Sequence, residues 1–87
     1  MTLAEKDDLR QAKRGTSALI ACLVQTLNES DPTFQERFLK KLDAAYYEFR
    51  DNQPGNVIHE LELISWTREL LTGWNIVAGQ GKPFLAD

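Results

Sequence analysis

Two clusters of turn-forming residues, each containing a proline, divide this chain into three segments. The first cluster is Asn-Glu-Ser-Asp-Pro at residues 28–32, and the second is Asp-Asn-Gln-Pro-Gly-Asn at residues 51–56. Each proline disfavours the helical conformation in the residue before it. In each segment apolar residues recur at steps of three or four, which is the period of an α-helix. Because short loops favour antiparallel neighbours, we predict an all-α, three-helix bundle-like domain spanning residues 1–87.

The first segment predicts a helix over residues 3–28. Thr2 is followed three residues later by Glu5, which is the pattern of a capping box. The apolar phase continues across Gly15, so we expect one long, bent helix rather than two short ones. One line of residues at helical spacing is expected to face the core. It comprises Leu9, Ala12, Thr16, Leu19, Leu23 and Leu27, widened by Ile20 and Val24.

The second segment predicts a helix over residues 32–51. Ser30 or Asp31 is the expected N-cap, and Pro32 suits the first helical position because the N–H that it lacks would be unpaired there anyway. Its apolar line is Phe34, Phe38, Leu42, Ala45 and Phe49.

The third segment follows Asn56, an expected N-cap, and contains two apolar lines. The first line is Val57, Leu61, Ile64, Arg68 and Leu71, and the second is Leu63, Trp66, Leu70, Trp74 and Val77. Two lines on one helix require burial on more than one side, either by the neighbouring helices or by another chain. The helix spans residues 57–72 if Gly73 is its C-cap. It spans 57–78 if the second line continues to Gly79.

A Gly/Pro-containing tail, residues 79–87, follows this helix. Three alternatives are open for its apolar pair, Phe84 and Leu85. The pair folds back and covers the bundle, or it is disordered, or it forms a short docking peptide that presents apolar anchors to a partner.

Composition places the chain among small soluble proteins. Its 87 residues, 43% of them hydrophobic, supply one modest core, and association with partner chains is a common way to enlarge such a core. The apolar run at 18–24 is too short to cross a membrane, and residues 1–8 lack the apolar region of a secretory signal. Cys22, the single cysteine, reads as a reduced core thiol. We therefore expect a cytoplasmic protein without a membrane segment.

The residues that catalysis and metal binding require are scarce. His59 is the only histidine, and no second histidine or paired cysteine stands at ligand spacing. Ser17, Ser30 and Ser65 lack the Gly-x-Ser-x-Gly elbow of a hydrolase. We therefore expect no enzyme, no cofactor, no metal and no small-molecule substrate.

The aromatic residues are the sequence feature that favours a protein–protein interface. Trp and Tyr are enriched at interface hot spots, although the same residues can simply complete a small core. We predict a small non-enzymatic protein–protein interaction or regulatory module. It is expected to bind a protein partner, to form a homodimer through the third helix, or to do both. The predicted partner-binding residues are Trp66, Leu70, Trp74, Tyr47, Phe84 and Leu85.

Two alternatives remain open. One is a nucleic-acid-associated regulator that uses a basic face formed by Arg37, Lys40 and Lys41. Acidic residues alternate with these cations, a pattern more typical of a solvated helix face, so nucleic-acid binding is not favoured. The other is an acidic inhibitor of a basic groove, which the mild net charge of -3 supports only weakly.

Overall fold

Three α-helices form this domain in the computed structural model, which describes residues 2–86 and only the backbone of Leu3. They are α1 (Leu3–Ser30), α2 (Phe34–Asn52) and α3 (Ile58–Thr72), and two short strands follow, β1 (Trp74–Asn75) and β2 (Gly79–Gln80). Helix α3 packs against both α1 and α2. The all-α, three-helix prediction is confirmed. Within residues 2–86, no helix combines the length and apolar character needed to cross a bilayer.

Helix α1 begins at the predicted capping box. The Thr2 hydroxyl accepts the Glu5 N–H, and the Glu5 carboxylate accepts the Thr2 N–H, both at 3.2 Å. The helix then runs through Gly15 without a break. The expectation of one long helix is confirmed, and the Asp31 N–H closes its last turn on the Leu27 carbonyl at 3.1 Å.

The buried face of α1 differs from the predicted one. Ser17, Ala21 and Val24 are buried, whereas Leu19, Leu23 and Leu27 are 74%, 60% and 41% exposed. The prediction that the leucine line faces the core is therefore wrong. The small residues Ser17 and Ala21 let α1 pack closely on α3, which turns the leucines to the outer side of the helix.

Hydrogen bonds make this polar contact between α1 and α3 possible. The buried Ser17 hydroxyl donates to the Leu63 carbonyl at 3.4 Å, and the buried Thr67 hydroxyl donates to the same carbonyl at 2.8 Å. Buried hydroxyls cost little when they are paired in this way. Leu71 lies beside them, and with Ala21 and Val24 it forms the apolar core.

Helix α2 begins two residues later than the sequence predicts. The Asp31 carboxylate accepts the Thr33 N–H at 3.0 Å and the Thr33 hydroxyl at 2.8 Å, which holds Pro32 and Thr33 in a turn before the helix. No residue of α2 is fully buried. Phe34, Phe38 and Leu39 cover the edge of the core instead.

Helix α3 ends at Thr72, the shorter of the two predicted bounds. Gly73 adopts the left-handed conformation, with φ of 76°, and its N–H bonds to the Glu69 carbonyl at 2.7 Å. A side chain at Gly73 would place its Cβ 2.5 Å from the Gly81 carbonyl oxygen, so only glycine fits. Trp74 and Val77 therefore do not continue the second apolar line of α3, because the chain turns into the β1–β2 hairpin.

The segment after the hairpin folds back on the bundle. The Phe84 N–H donates to the Leu70 carbonyl at 2.7 Å, and the Phe84 carbonyl accepts the Gln25 side-chain amide at 2.6 Å. Phe84 packs against the core, whereas Leu85 is mostly exposed. Of the three alternatives for the tail, folding back is correct for Phe84 but not for Leu85.

Candidate partner-binding surface

An open groove lies between α1, α3 and the segment around Phe84, and we call it the α1–α3 groove. Its volume is about 580 Å³. Trp66 and Leu70 stand one turn apart on α3, so both project toward α1. Phe84 is held beside them by its backbone hydrogen bond to Leu70. These three half-buried side chains give the groove an apolar wall.

The rim of the α1–α3 groove is positively charged on its α1 side. Arg10 and Arg14 are exposed, stand one turn apart and both line the groove. Neither guanidinium forms an ion pair with any residue that the structure describes. Glu69 lines the groove from α3, and its carboxylate accepts the Asn75 side-chain amide at 2.6 Å.

Lys13 lies over the Trp66 ring. Its ammonium lies 5.4 Å from the centre of the Trp66 ring, an arrangement in which the ring quadrupole attracts the cation. The same ammonium pairs with the Glu62 carboxylate at 2.7 Å and contacts His59 Nδ1 at 2.8 Å. The Lys13 side chain is only 12% exposed, so this cation belongs to the wall of the bundle rather than to the rim.

A second groove, the α2–hairpin groove, lies on another side of α3. Its volume is about 550 Å³, and Tyr46, Arg68, Trp74 and Ile76 line it. Trp74 is 52% exposed there. The prediction that Trp74 shares one helical line with Trp66 is wrong, because Gly73 turns the chain between them.

The six residues predicted to bind a partner therefore occupy different places. Trp66, Leu70 and Phe84 line the α1–α3 groove. Trp74 lines the α2–hairpin groove, and Tyr47 lies nearby, with its ring edge-on to Tyr46 at 5.8 Å. Leu85 lies in a shallow cleft beside Cys22 and Thr26 of α1.

The predicted nucleic-acid face is partly neutralised by neighbouring carboxylates. Arg37 bonds to Asp31 at 2.5 Å, and Lys40 stands 3.8 Å from Glu36. Hydrogen bonds from Thr33, and then from Arg37, hold the pKa of the Asp31 carboxyl below its ordinary value of 3.8. These pairs reduce the charge that Arg37 and Lys40 present to phosphate. Nucleic-acid binding stays a prediction, which salt-sensitive binding to duplex DNA would test.

One further exposed pair is held by direct hydrogen bonds. Arg50 donates to the Asp51 carboxylate at 2.8 and 3.1 Å. This contact raises the pKa of Arg50 and lowers the pKa of the Asp51 carboxyl. The Arg50 guanidinium also lies 4.7 Å from the Tyr47 ring centre, so Tyr47 is covered on one face.

The titratable residues near the grooves form no metal centre. Among residues 2–86, no three His, Cys, Asp or Glu side chains are grouped closely enough to hold a metal ion. Cys22 is half-buried, and His59 is exposed at the start of α3 with its Nδ1 directed at Lys13.

No known family model, curated protein or solved structure matches this chain. A fold hosts many functions, so function has to be inferred from the chemistry of a site. In this chain, the α1–α3 groove combines apolar side chains with charged ones.

The sequence prediction missed two features of this surface. Arg10 and Arg14 are not among the predicted site residues, although their spacing of four places both on one side of a helix. The exposed leucines of α1 read as core, because periodicity shows which residues share a face but not which face is covered.

Proposed function

We propose that this chain is a non-enzymatic protein-interaction module whose α1–α3 groove binds an apolar side chain of a partner, next to acidic residues of the same partner. The observation that carries the proposal is the apolar wall of Trp66, Leu70 and Phe84 beside the cationic rim of Arg10 and Arg14. An apolar anchor with charged flanks is a common form of peptide recognition.

The size of the groove sets the expected affinity. A volume of about 580 Å³ accommodates one or two large side chains, and burying one such side chain contributes about 1.5–3 kcal/mol. Each exposed ion pair at the rim adds at most about 1 kcal/mol. Because association also costs translational and rotational freedom, we expect weak binding, with a dissociation constant on the order of 0.1–1 mM.

A displayed library of linear peptides tests this proposal. Selected binders are expected to share a large apolar residue flanked by Asp or Glu. Their affinity is then measured by fluorescence anisotropy with wild-type protein and with Arg14→Glu. Reversing the charge of an exposed side chain leaves the core intact, and we expect it to weaken binding about tenfold.

Matched variants make the test specific to the groove. Arg50→Glu reverses a charge on α2, and Trp74→Ala removes the tryptophan of the α2–hairpin groove; both are expected to leave peptide affinity unchanged. Binders without an apolar anchor would contradict the proposal. Equal losses with Arg14→Glu and Arg50→Glu would also contradict it.

The proposal includes a cytoplasmic location. It is supported by the single cysteine, which cannot form a disulfide within the chain. Colocalisation of a tagged chain with a cytosolic marker tests this part separately from the groove.

A further inference from the structure

Helix α1 carries an apolar line on its outer side, which we call the α1 stripe. Its members are Ala12, Thr16, Leu19, Leu23, Thr26 and Leu27, all exposed. None of them is charged. The stripe faces neither α2 nor α3, because the opposite side of α1 holds Ser17, Ala21 and Val24 against the core.

The two threonines of the α1 stripe present methyl groups rather than hydroxyls. The Thr16 hydroxyl donates to the Ala12 carbonyl and the Thr26 hydroxyl to the Cys22 carbonyl, each at 2.8 Å. Both hydroxyls are therefore satisfied within α1. A partner covering the stripe would not have to supply a hydrogen bond to either threonine.

The spacing of the α1 stripe is that of a coiled-coil seam. Ala12, Leu19 and Thr26 are separated by seven residues, and Thr16 and Leu23 interleave with them at the same period. A helix that repeats apolar residues every 3.5 positions packs them against a second helix with the same repeat. The 28-residue α1 supplies such a helix in every copy of this chain.

The exposed area of the chain is large enough to account for a stable interface. The chain exposes 6478 Å², whereas a monomer of 9.9 kDa is expected to expose about 5200 Å². The radius of gyration is 14.0 Å, against about 12 Å for a compact domain of this length. The surplus of about 1300 Å² exceeds the roughly 800 Å² that each partner loses in a standard interface.

We infer that the α1 stripe binds the α1 stripe of a second copy in an antiparallel, two-fold symmetric pair. Glu5 continues the heptad one repeat before Ala12, at the seam position that Ala12 and Leu19 share. A parallel pair would set Glu5 against its own copy, where like charges repel. The antiparallel pair separates them and packs Leu19 of each copy against Leu23 of the other.

This register also sets the remaining layers of the antiparallel pair. With Leu19 against Leu23, Thr16 of one copy meets Thr26 of the other. The pair is isologous, so each substitution in the stripe acts twice. The pair does not use the α1–α3 groove, so it is independent of the function proposed above.

Sedimentation velocity across a concentration series tests self-association. We expect a reversible dimer of the wild-type chain at micromolar concentration. In Leu19→Lys/Leu23→Lys, four leucines are lost from the pair and like charges meet, so dimerisation should weaken at least 100-fold. Val77→Lys, at a 91% exposed site in the hairpin, is the control and should dimerise as the wild type does.

Disulfide trapping tests the orientation. Thr16→Cys and Thr26→Cys are made separately in a Cys22→Ser background, mixed and oxidised. The antiparallel pair gives the mixed disulfide between the two variants, because their Cα atoms face each other across one layer. Predominant Thr16→Cys or Thr26→Cys homodimers would overturn the antiparallel arrangement.

Two results would overturn the inference as a whole. One is a wild-type chain that stays monomeric up to high micromolar concentration. The other is a Leu19→Lys/Leu23→Lys variant that dimerises normally while circular dichroism shows unchanged helix content. Binding of an acidic groove peptide to the wild-type chain keeps the two proposals apart, because a wild-type chain that binds the peptide and yet stays monomeric counts against this inference alone.

Discussion

Val24→Ala is expected to destabilise the monomer much more than Leu19→Ala does. Both replace an apolar residue of α1 with alanine, five positions apart. Val24 is 2% exposed and packs in the core, whereas Leu19 is 74% exposed. From the sequence periodicity alone, Leu19 is the central residue of the core line. The pair of variants therefore tests how α1 is rotated relative to α3.

The magnitudes follow from what each side chain covers. Val24→Ala removes two buried methyl groups, which costs about 1.6 kcal/mol of transfer free energy plus a cavity contribution. The higher helix propensity of alanine returns about 0.5 kcal/mol, for a net loss of about 1.5–2 kcal/mol. Leu19→Ala removes a side chain that is mostly in water already, so its cost is about 0.5 kcal/mol or less.

Urea denaturation followed by circular dichroism measures both losses. The protein is used at a concentration where sedimentation shows monomer, so that loss of the α1 pair does not contribute. With a slope of about 1 kcal/mol per M, Val24→Ala should lower the midpoint by about 1.5–2 M and Leu19→Ala by less than about 0.5 M. A larger loss for Leu19→Ala than for Val24→Ala would refute the rotation of α1 described above.

Two further predictions concern the turns. Gly73→Ala should destabilise the fold by more than about 1 kcal/mol, because φ is 76° and the new Cβ would meet the Gly81 carbonyl. Gly15→Ala, in an open helical site, should instead stabilise the fold by about 0.5–1 kcal/mol. Thermal unfolding of the two variants measures both effects, and equal effects would count against the Gly73 turn. The lowered pKa of Asp31 means that its carboxylate stabilises the fold fully above its ordinary value of 3.8 and loses this effect as pH falls through the lower folded value. At neutral pH, the wild type should therefore melt at a higher temperature than Asp31→Asn, and this difference should disappear below pH 3.8. A difference that grows in acid would contradict this role of the Asp31 carboxylate.

The sequence predicts the turns and helices of this fold well, because these depend on local chemistry. Thr2 and Glu5 form the predicted capping box, and Gly73 ends α3 as a left-handed cap. The rotation of α1 depends on long-range packing, which periodicity does not contain. Ser17 and Thr67 lie outside the predicted apolar lines, yet both are buried, and the Leu63 carbonyl accepts both hydroxyls.

The candidate groove was only partly predictable for a related reason. Trp66 and Leu70 share a helical face in the sequence, and the structure keeps them together. Phe84 joins them through a backbone hydrogen bond to Leu70, which no local pattern signals. Trp74 does not lie with them, because Gly73 turns the chain after Thr72. The helical spacing between Trp66 and Trp74 therefore does not place the two side chains on one face.

The hydrogen bond from Gln25 to the Phe84 carbonyl has a consequence for how the domain folds. It joins residues 59 positions apart, so forming it closes a long loop at a cost on the order of 3–4 kcal/mol of chain entropy. During folding, contacts between residues this far apart in sequence are expected to form late, after neighbouring helices have packed together. A ribosome-bound chain from which Phe84 has not yet emerged would therefore have helical structure, but its α1–α3 groove would lack one wall.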